Sequence, residues 1–337
     1  MKKLVALALV LVLSLSMIAS ASASIYDGQR VRIVIGSTSV SGDSYMVADT
    51  VNRYLQKYLN CESKVDAVGA NEAFAAVKAA KPDGLEFMIF HDMTYLGVLF
   101  GSYSEEYALE NMVVGPRVGQ NPGSCFAAKK DAPYADMKEM TDWLAADNSR
   151  TVRISVEAGG VSNIGFVAYY MWVKEVYGED VAGQIRFVLG GSTDTKLQQL
   201  WDGNTDVIFA DYSSLKQYTE EGVDAQLAVK FVGLLDKIEG VDEPVMGDLG
   251  ITLGGQPFYF SKDFVMYLPA GTSAEVVAEL DAAMEKVAAD PDFQADMAKL
   301  TYAGNVLLSK EANEFIYNKR DTIAKVLAEA PALEDLE

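Results

Sequence analysis

The chain has 337 residues, half of them hydrophobic and 23% charged, too apolar for a disordered chain and long enough for two domains at about 100–200 residues each. Its 48 Asp and Glu outweigh 28 Lys and Arg, and the formal charge of −20 excludes the cationic surface that nucleic acid requires. One His and two distant Cys exclude the common four-ligand zinc centre and leave His91 as the sole imidazole for any Ser–His or Cys–His pair.

Met1-Lys2-Lys3, the apolar stretch Leu4 to Ala19 and the small residues Ala21-Ser22-Ala23 have the order of a cleaved export signal over residues 1–23. The stretch is short for a membrane span, and no Cys at the cleavage region suggests a lipid anchor. Losing Lys2 and Lys3 takes −20 to −22, and the mature chain is expected in the periplasm or another extracytoplasmic space. Export permits a disulfide between Cys61 and Cys125 without requiring one, and two free thiols are the simpler expectation.

Val31 to Ile35 is a β-branched run stopped by Gly36 and predicts a buried strand. The Ser- and Gly-rich loop Gly36 to Ser44 leads into Val47, Val51, Leu55 and Tyr58, whose spacing marks one helix face, with Asp43 or Ser44 as the expected N-cap. Ala70 to Ala80 reads as a helix stopped by Pro82-Asp83-Gly84, and Leu85 to Phe90 as a strand ending at His91-Asp92. Strand, loop and helix recur in Val152 to Val156, Glu157 to Asn163 and a helix through Trp172 and Val176. They recur again in Ile185 to Leu189, Gly190 to Asp194 and a helix with Leu197, Leu200 and Trp201. Val207 to Ala210 and Phe264 to Leu268 are further strands, and helices follow over roughly 273–289 and 291–302. The acidic tail, Glu329 to Glu337, is expected to be a solvated end. The alternation predicts an α/β protein with mostly parallel sheets.

Three strand-to-helix loops carry the chemistry: Ser41-Gly42-Asp43-Ser44, Gly159-Gly160-Val161-Ser162-Asn163 and Ser192-Thr193-Asp194. Such loops lie at the carboxyl ends of strands, where open parallel sheets bind ligands. Glycine admits a ligand close to the backbone, and the N–H groups and dipole of the following helix favour an anion by about 0.3–1 kcal/mol per helix end. Taken singly, each loop reads more simply as a tight turn before a capped helix. Tyr45, Tyr95 and Tyr212 follow strand ends and are candidate ring contacts, and Asp211 closes the strand at Val207 to Ala210. His91 reads as a ligand contact or as a packed strand-end residue. His91 and Asp92 are neighbours at a strand end and point in opposite directions, so no acid–base dyad is expected. The chain has no GxxxxGK[ST], GxGxxG or GxSxG run, which removes the usual signatures of nucleotide binding and serine hydrolysis.

Leu268-Pro269-Ala270-Gly271-Thr272, followed after a helix by Ala289-Asp290-Pro291, is the strongest of several familiar stretches. With Pro82-Asp83-Gly84 ahead of a strand, and Leu197-Gln198, Gly203 and Asp206-Val207 beyond the third loop, the chain resembles the periplasmic solute-binding receptors of tripartite tricarboxylate transporters, the TctC or Bug family. The resemblance runs from about Arg32 to Ile316. It implies a two-lobed periplasmic-binding-protein (Venus flytrap) fold, with lobe one about 25–122 plus 232–337 and lobe two about 123–231. The hinge would then lie at Asn121-Pro122-Gly123 and at Val229 to Gly233. It further implies a monomeric, cofactor-free receptor that captures a small organic acid between its lobes and delivers it to membrane transporter subunits. The three loops, with Tyr45, His91, Asp92 and Asp211 as further candidates, would hold the ligand through backbone amides and hydroxyls.

Two departures bear on the ligand. The family's glycine-glycine-threonine-aspartate loop is Gly42-Asp43-Ser44-Tyr45 here, and the third loop has Gly191 for the usual lysine and Asp194 for a common glycine. Two added acids disfavour a second ligand carboxylate unless a cation offsets them. A monocarboxylate, or an acid that also carries a cationic amine, is expected rather than citrate. The alternative is a secreted α/β hydrolase or isomerase with His91 as base.

Overall fold

The computed structural model describes residues 24–157, 159–331 and 333–336; the expected export signal over 1–23 lies outside the described residues. From the amino end, strands and helices alternate as β1 (Arg30–Ile35), α1 (Asp43–Leu59), β2 (Glu62–Ala67), α2 (Ala70–Ala79), β3 (Glu86–Phe90), α3 (Met93–Leu99) and β4 (Met112–Asn121). Next come β5 (Ser124–Lys129), α4 (Met137–Ala145), β6 (Val152–Val156), α5 (Val161–Tyr177), α6 (Glu179–Ala182) and β7 (Ile185–Leu189). They continue through α7 (Thr193–Trp201), β8 (Val207–Asp211), α8 (Tyr212–Leu215) and β9 (Val229–Leu234). A small hairpin, β10 (Thr252–Leu253) and β11 (Gln256–Pro257), precedes β12 (Lys262–Pro269), α9 (Ala274–Ala289), α10 (Pro291–Lys299) and α11 (Ser309–Leu327).

The long strands form two five-stranded sheets, ordered β2-β1-β3-β12-β4 and β7-β6-β8-β5-β9. In β1, Val31, Ile33 and Ile35 face the core shared with Val47, Val51 and Leu55 of α1 and Leu280 and Met284 of α9. Val34 points the other way, into the core that holds Phe74 and Val77 of α2. Cover on both faces makes Ile33, Val34 and Ile35 a continuous apolar run, while Arg32 interrupts the strand and pairs with Asp66 and Glu86 on the neighbouring strands.

The sheets are mixed rather than mostly parallel. β1 pairs in parallel with β2 and β3, and β6 with β7 and β8. β12 is antiparallel to β3 and β4, and β5 is antiparallel to β8 and β9. The antiparallel members adjoin the places where the chain passes from one sheet to the other, so no crossover helix sets their direction. β4 ends at Asn121 in the first sheet and β5 starts at Ser124 in the second. The expected return at Val229 to Gly233 falls inside β9, whose pairing with β5 reaches Leu234. The next stretch stays with the second sheet: Met246 N donates to Leu234 O and Phe260 N to Leu235 O, both at 2.9 Å. The chain rejoins the first sheet at Lys262.

Two local expectations, the cap of α1 and the solvated tail, differ from the structure, and the cysteines do not. Gly42 is the N-cap of α1, without a side-chain cap, and Asp43 is its first residue. The carboxylate of Asp43 is drawn instead into a cluster described below. The tail is not wholly solvated: residues Leu333–Leu336 form a 3-10 turn, and Leu336 joins the core, an apolar anchor hidden among acidic neighbours. Cys61 is half-buried and Cys125 fully buried, and both are free thiols.

Candidate functional site

The carboxyl ends of the parallel strands carry the three loops, and the loops of the two sheets approach one another. A Cβ added to Gly159 would lie 2.8 Å from Ser102 Oγ, and one on Gly160 would lie 3.7 Å from Met93 Sδ. The second loop therefore packs against α3 and the turn after it. Gly159 also has φ +77°, a conformation open to glycine and costly to most other residues.

Within this region the side chains form two linked ionic groups. Glu157 accepts from Lys196 Nζ at 2.6 Å and from Ser162 Oγ at 3.0 Å, while Glu157 N donates to Ser162 Oγ at 2.9 Å. Lys196 is 1% exposed and belongs to the first turn of α7, so this pair ties the second loop to the third. Its methylenes pass the backbone of Gly190, where a Cβ would lie 2.4 Å from Lys196 Cγ. Ser192 caps α7 by accepting from Thr195 N at 3.2 Å. Thr193 is half-buried and Asp194 exposed.

The second group lies where the chain crosses between sheets. Lys262 Nζ donates to Asp43 Oδ2 at 2.8 Å and to Asp211 Oδ1 at 3.0 Å. Asn121 Nδ2 donates to the same two oxygens at 3.2 and 3.1 Å, and Asn121 Oδ1 accepts from Gly123 N at 2.8 Å. Two carboxylates thus share one ammonium. Burial alone would push the Asp43 carboxyl up, but Lys262, His91 and Asn121 outweigh it and hold it well below the usual carboxylate range. Burial dominates at Asp211 and, with the nearby Asp43, raises its carboxyl despite Lys262. Lys262 stays charged because the two aspartates outweigh the cost of its burial.

His91 sits beside this group, half-buried, its ring 4.6 Å from Phe90 and edge-on to Phe264 at 5.5 Å between centroids. Its Nδ1 accepts from Met93 N at 3.2 Å. Burial lowers its pKa to about 4, against an opposing pull from Asp43 and Glu157, so the ring is neutral at pH 7.

Several expected ligand residues lie elsewhere. Asp92 is fully buried on the opposite side of the strand end, accepting from Tyr95 OH at 2.5 Å and Asp263 N at 2.7 Å, with Lys319 Nζ at 2.6 Å. Lys319, Arg117 and Gln120 also hold Asp263, at 2.5, 2.9 and 2.8 Å. This neutral cluster pins α11 to β4 and β12. Tyr95 is therefore spent on Asp92, Tyr212 packs on Phe231 with centroids 4.8 Å apart, and Tyr45 packs against the α1 core. Ser41 is exposed and bonds with Ser39, and Ser44 is buried with its N–H on Asp43 Oδ1 at 2.7 Å. What the structure brings together is Gly42, Asp43, His91, Gly159, Gly160, Val161, Ser162 and Asp211. It adds Asn121, Glu157, Lys196 and Lys262, which sequence reasoning missed. Lys262-Asp263 at the head of an otherwise apolar strand is a signal for a buried ionic site; Lys196, one lysine on an amphipathic helix, carries none.

No protein-family model and no curated protein matches the sequence. Solved structures do match in fold. A TctC solute-binding protein from Polaromonas superposes with TM-score 0.67 at 14% identity, covering 90% of this chain and 99% of that one. MatC from Rhodopseudomonas palustris with bound malate gives 0.61 at 19% identity, covering 87% and 99%. A second R. palustris protein, solved with adipate, gives 0.64 at 14% identity, covering 88% and 96%. The chain has the two-lobed α/β fold of TctC- and Bug-type periplasmic solute-binding proteins.

Proposed function

We propose that this protein is an exported solute-binding receptor that captures a small organic carboxylate between its lobes and delivers it to the membrane subunits of a tripartite tricarboxylate-type transporter. The observation that carries the reading is the approach of the two sheets' loops, with Gly159-Gly160 ahead of α5 packed on α3 and Asp43 at the start of α1 joined through Lys262 to Asp211 at the end of β8, on a fold shared with proteins solved with malate and adipate. α7 is tied to the second loop by Lys196. Each helix end favours an anion by about 0.3–1 kcal/mol, rising to about 2 in partly buried geometry.

Lobe one comprises about 24–121 plus 262–327, and lobe two about 123–260, so the hinge lies at Pro122-Gly123 and near Ser261. The receptor works as a monomer without a cofactor. A solute touching both lobes favours the closed arrangement by its differential affinity. An enzymatic reading with His91 as base has little support: burial lowers its pKa to about 4 and makes the ring a weak base, its Nδ1 already accepts from a backbone amide, and Asp92 turns away from it. The test is mass spectrometry of small molecules released from the purified mature chain, with calorimetric titration of malate, adipate and citrate. A carboxylate bound without turnover is expected. Turnover of a carboxylate ester that His91→Ala abolishes would refute the receptor.

A further inference from the structure

Resting on the receptor reading above, we propose that the solute carries a cationic amine beside its carboxylate, and that the ammonium faces Asp211 and Asp43 at the hinge end of the cleft. Three acids, Asp43, Glu157 and Asp211, stand against two ammonium groups, Lys196 and Lys262. The neutral ring of His91 does not redress the balance. The cleft therefore carries one surplus negative charge, and a dicarboxylate would raise it to three. An amino acid adds none, and places its own cation where the surplus lies.

The surplus is localised. Lys196 is matched one to one by Glu157, whereas Lys262 is divided between two aspartates. Of those three hinge side chains Asp211 is the most open, 25% exposed against 14% for Asp43 and 10% for Lys262, so a solute meets a carboxylate before it meets the lysine. Burial has already raised the Asp211 carboxyl, which a second cation would relieve.

A second observation comes from the neighbouring strand. β5 pairs with β8 so that Ser124 stands directly opposite Asp211, and directly paired residues project on the same sheet face. Ser124 is fully buried and its Oγ has no hydrogen-bond partner among the described residues. An unmet buried hydroxyl is costly, and here it stands beside the open carboxylate. It can accept from an ammonium or donate to a carboxylate of the same solute. The carboxylate end falls to the amides behind Gly159-Gly160, away from the aspartates.

The experiment is calorimetric titration of the mature chain at pH 7.5 with matched pairs that differ only in the α-amino group: L-leucine and 4-methylpentanoate, L-phenylalanine and 3-phenylpropionate, L-aspartate and succinate. In any pair that binds, the amine member is expected to bind at least tenfold tighter, and Asp211→Asn to cut that ratio at least tenfold. Asp43→Asn, checked for folding by thermal melt, is the second variant and should cut the same ratio. Equal or tighter binding of the des-amino member, or of malate or adipate, overturns the ammonium site and leaves the carboxylate receptor standing. A ratio that survives both substitutions also overturns it. Silence of every acid, with and without the amine, overturns the receptor reading and this inference with it.

Discussion

His91 is the only histidine of the chain, so its ring gives a single pair of imidazole resonances and a titration free of overlap. Burial lowers its pKa from the ordinary 6.5 to about 4, with Asp43 and Glu157 opposing the shift. A folded state that binds the proton less well than the unfolded chain is stabilised at high pH. The contribution is complete above pH 6.5 and is lost as pH falls from 6.5 towards 4. At pH 5 the loss is about 2 kcal/mol, and over the whole window about 3 kcal/mol. In Tm the pH 5 loss is roughly 4–8 °C on the scale of domains of 150–250 residues. Two measurements check it. Proton NMR of the folded protein should place the ring's midpoint near pH 4. Thermal melts at pH 7.5 and 5.0 should show a drop about 2 kcal/mol smaller in His91→Gln than in the parent, whatever the variant's absolute stability. A ring that titrates between pH 6 and 7, or equal pH dependence in the two proteins, refutes the buried neutral imidazole.

Lys319→Met leaves Asp92 and Asp263 buried with Arg117 as the remaining cation and should cost about 3–5 kcal/mol in chemical denaturation; a loss under about 1 kcal/mol would contradict the cluster. Adding Asp92→Asn to that variant should restore part of the loss. Gly190→Ala puts a Cβ 2.3 Å from Ser155 Oγ and 2.4 Å from Lys196 Cγ, so it should cost about 1–3 kcal/mol and weaken solute binding, as seen by denaturation and titration. Gly191→Ala, which meets nothing within 4 Å, is the control and should lie within about 0.5 kcal/mol of the parent. Nitroxide labels at Val40→Cys and Leu189→Cys, exposed sites in the loop after β1 and at the end of β7, should move closer when a binding solute is added, read by pulsed electron paramagnetic resonance after Cys61→Ser and Cys125→Ala. An unchanged distance at saturation would contradict lobe closure.

The sequence by itself determined the elements whose burial is written locally. β3 and the body of β12 are apolar runs because both faces are covered, β6 and β7 keep apolar residues at alternate positions, and α1 shows its core stripe at Val47, Val51 and Leu55. The Gly-bearing loops before α1, α5 and α7 were legible because each holds a glycine with no room or no allowed backbone for a side chain: Gly36, Gly159 and Gly190. Two classes of feature were not. β2 is the edge of its sheet, with the polar sequence ESKVDA, and β4 carries two glycines and a proline, so neither has a local apolar signal. The ionic site is set by partners far apart in the chain: Lys262 and Asp43 are separated by 219 residues, and Lys319 and Asp263 by 56. Local periodicity reports which face of an element is covered. Only the tertiary structure decided which charge covers which, turning Asp92 into a buried anchor, Asp211 into an open carboxylate and Lys262 into the shared cation between lobes.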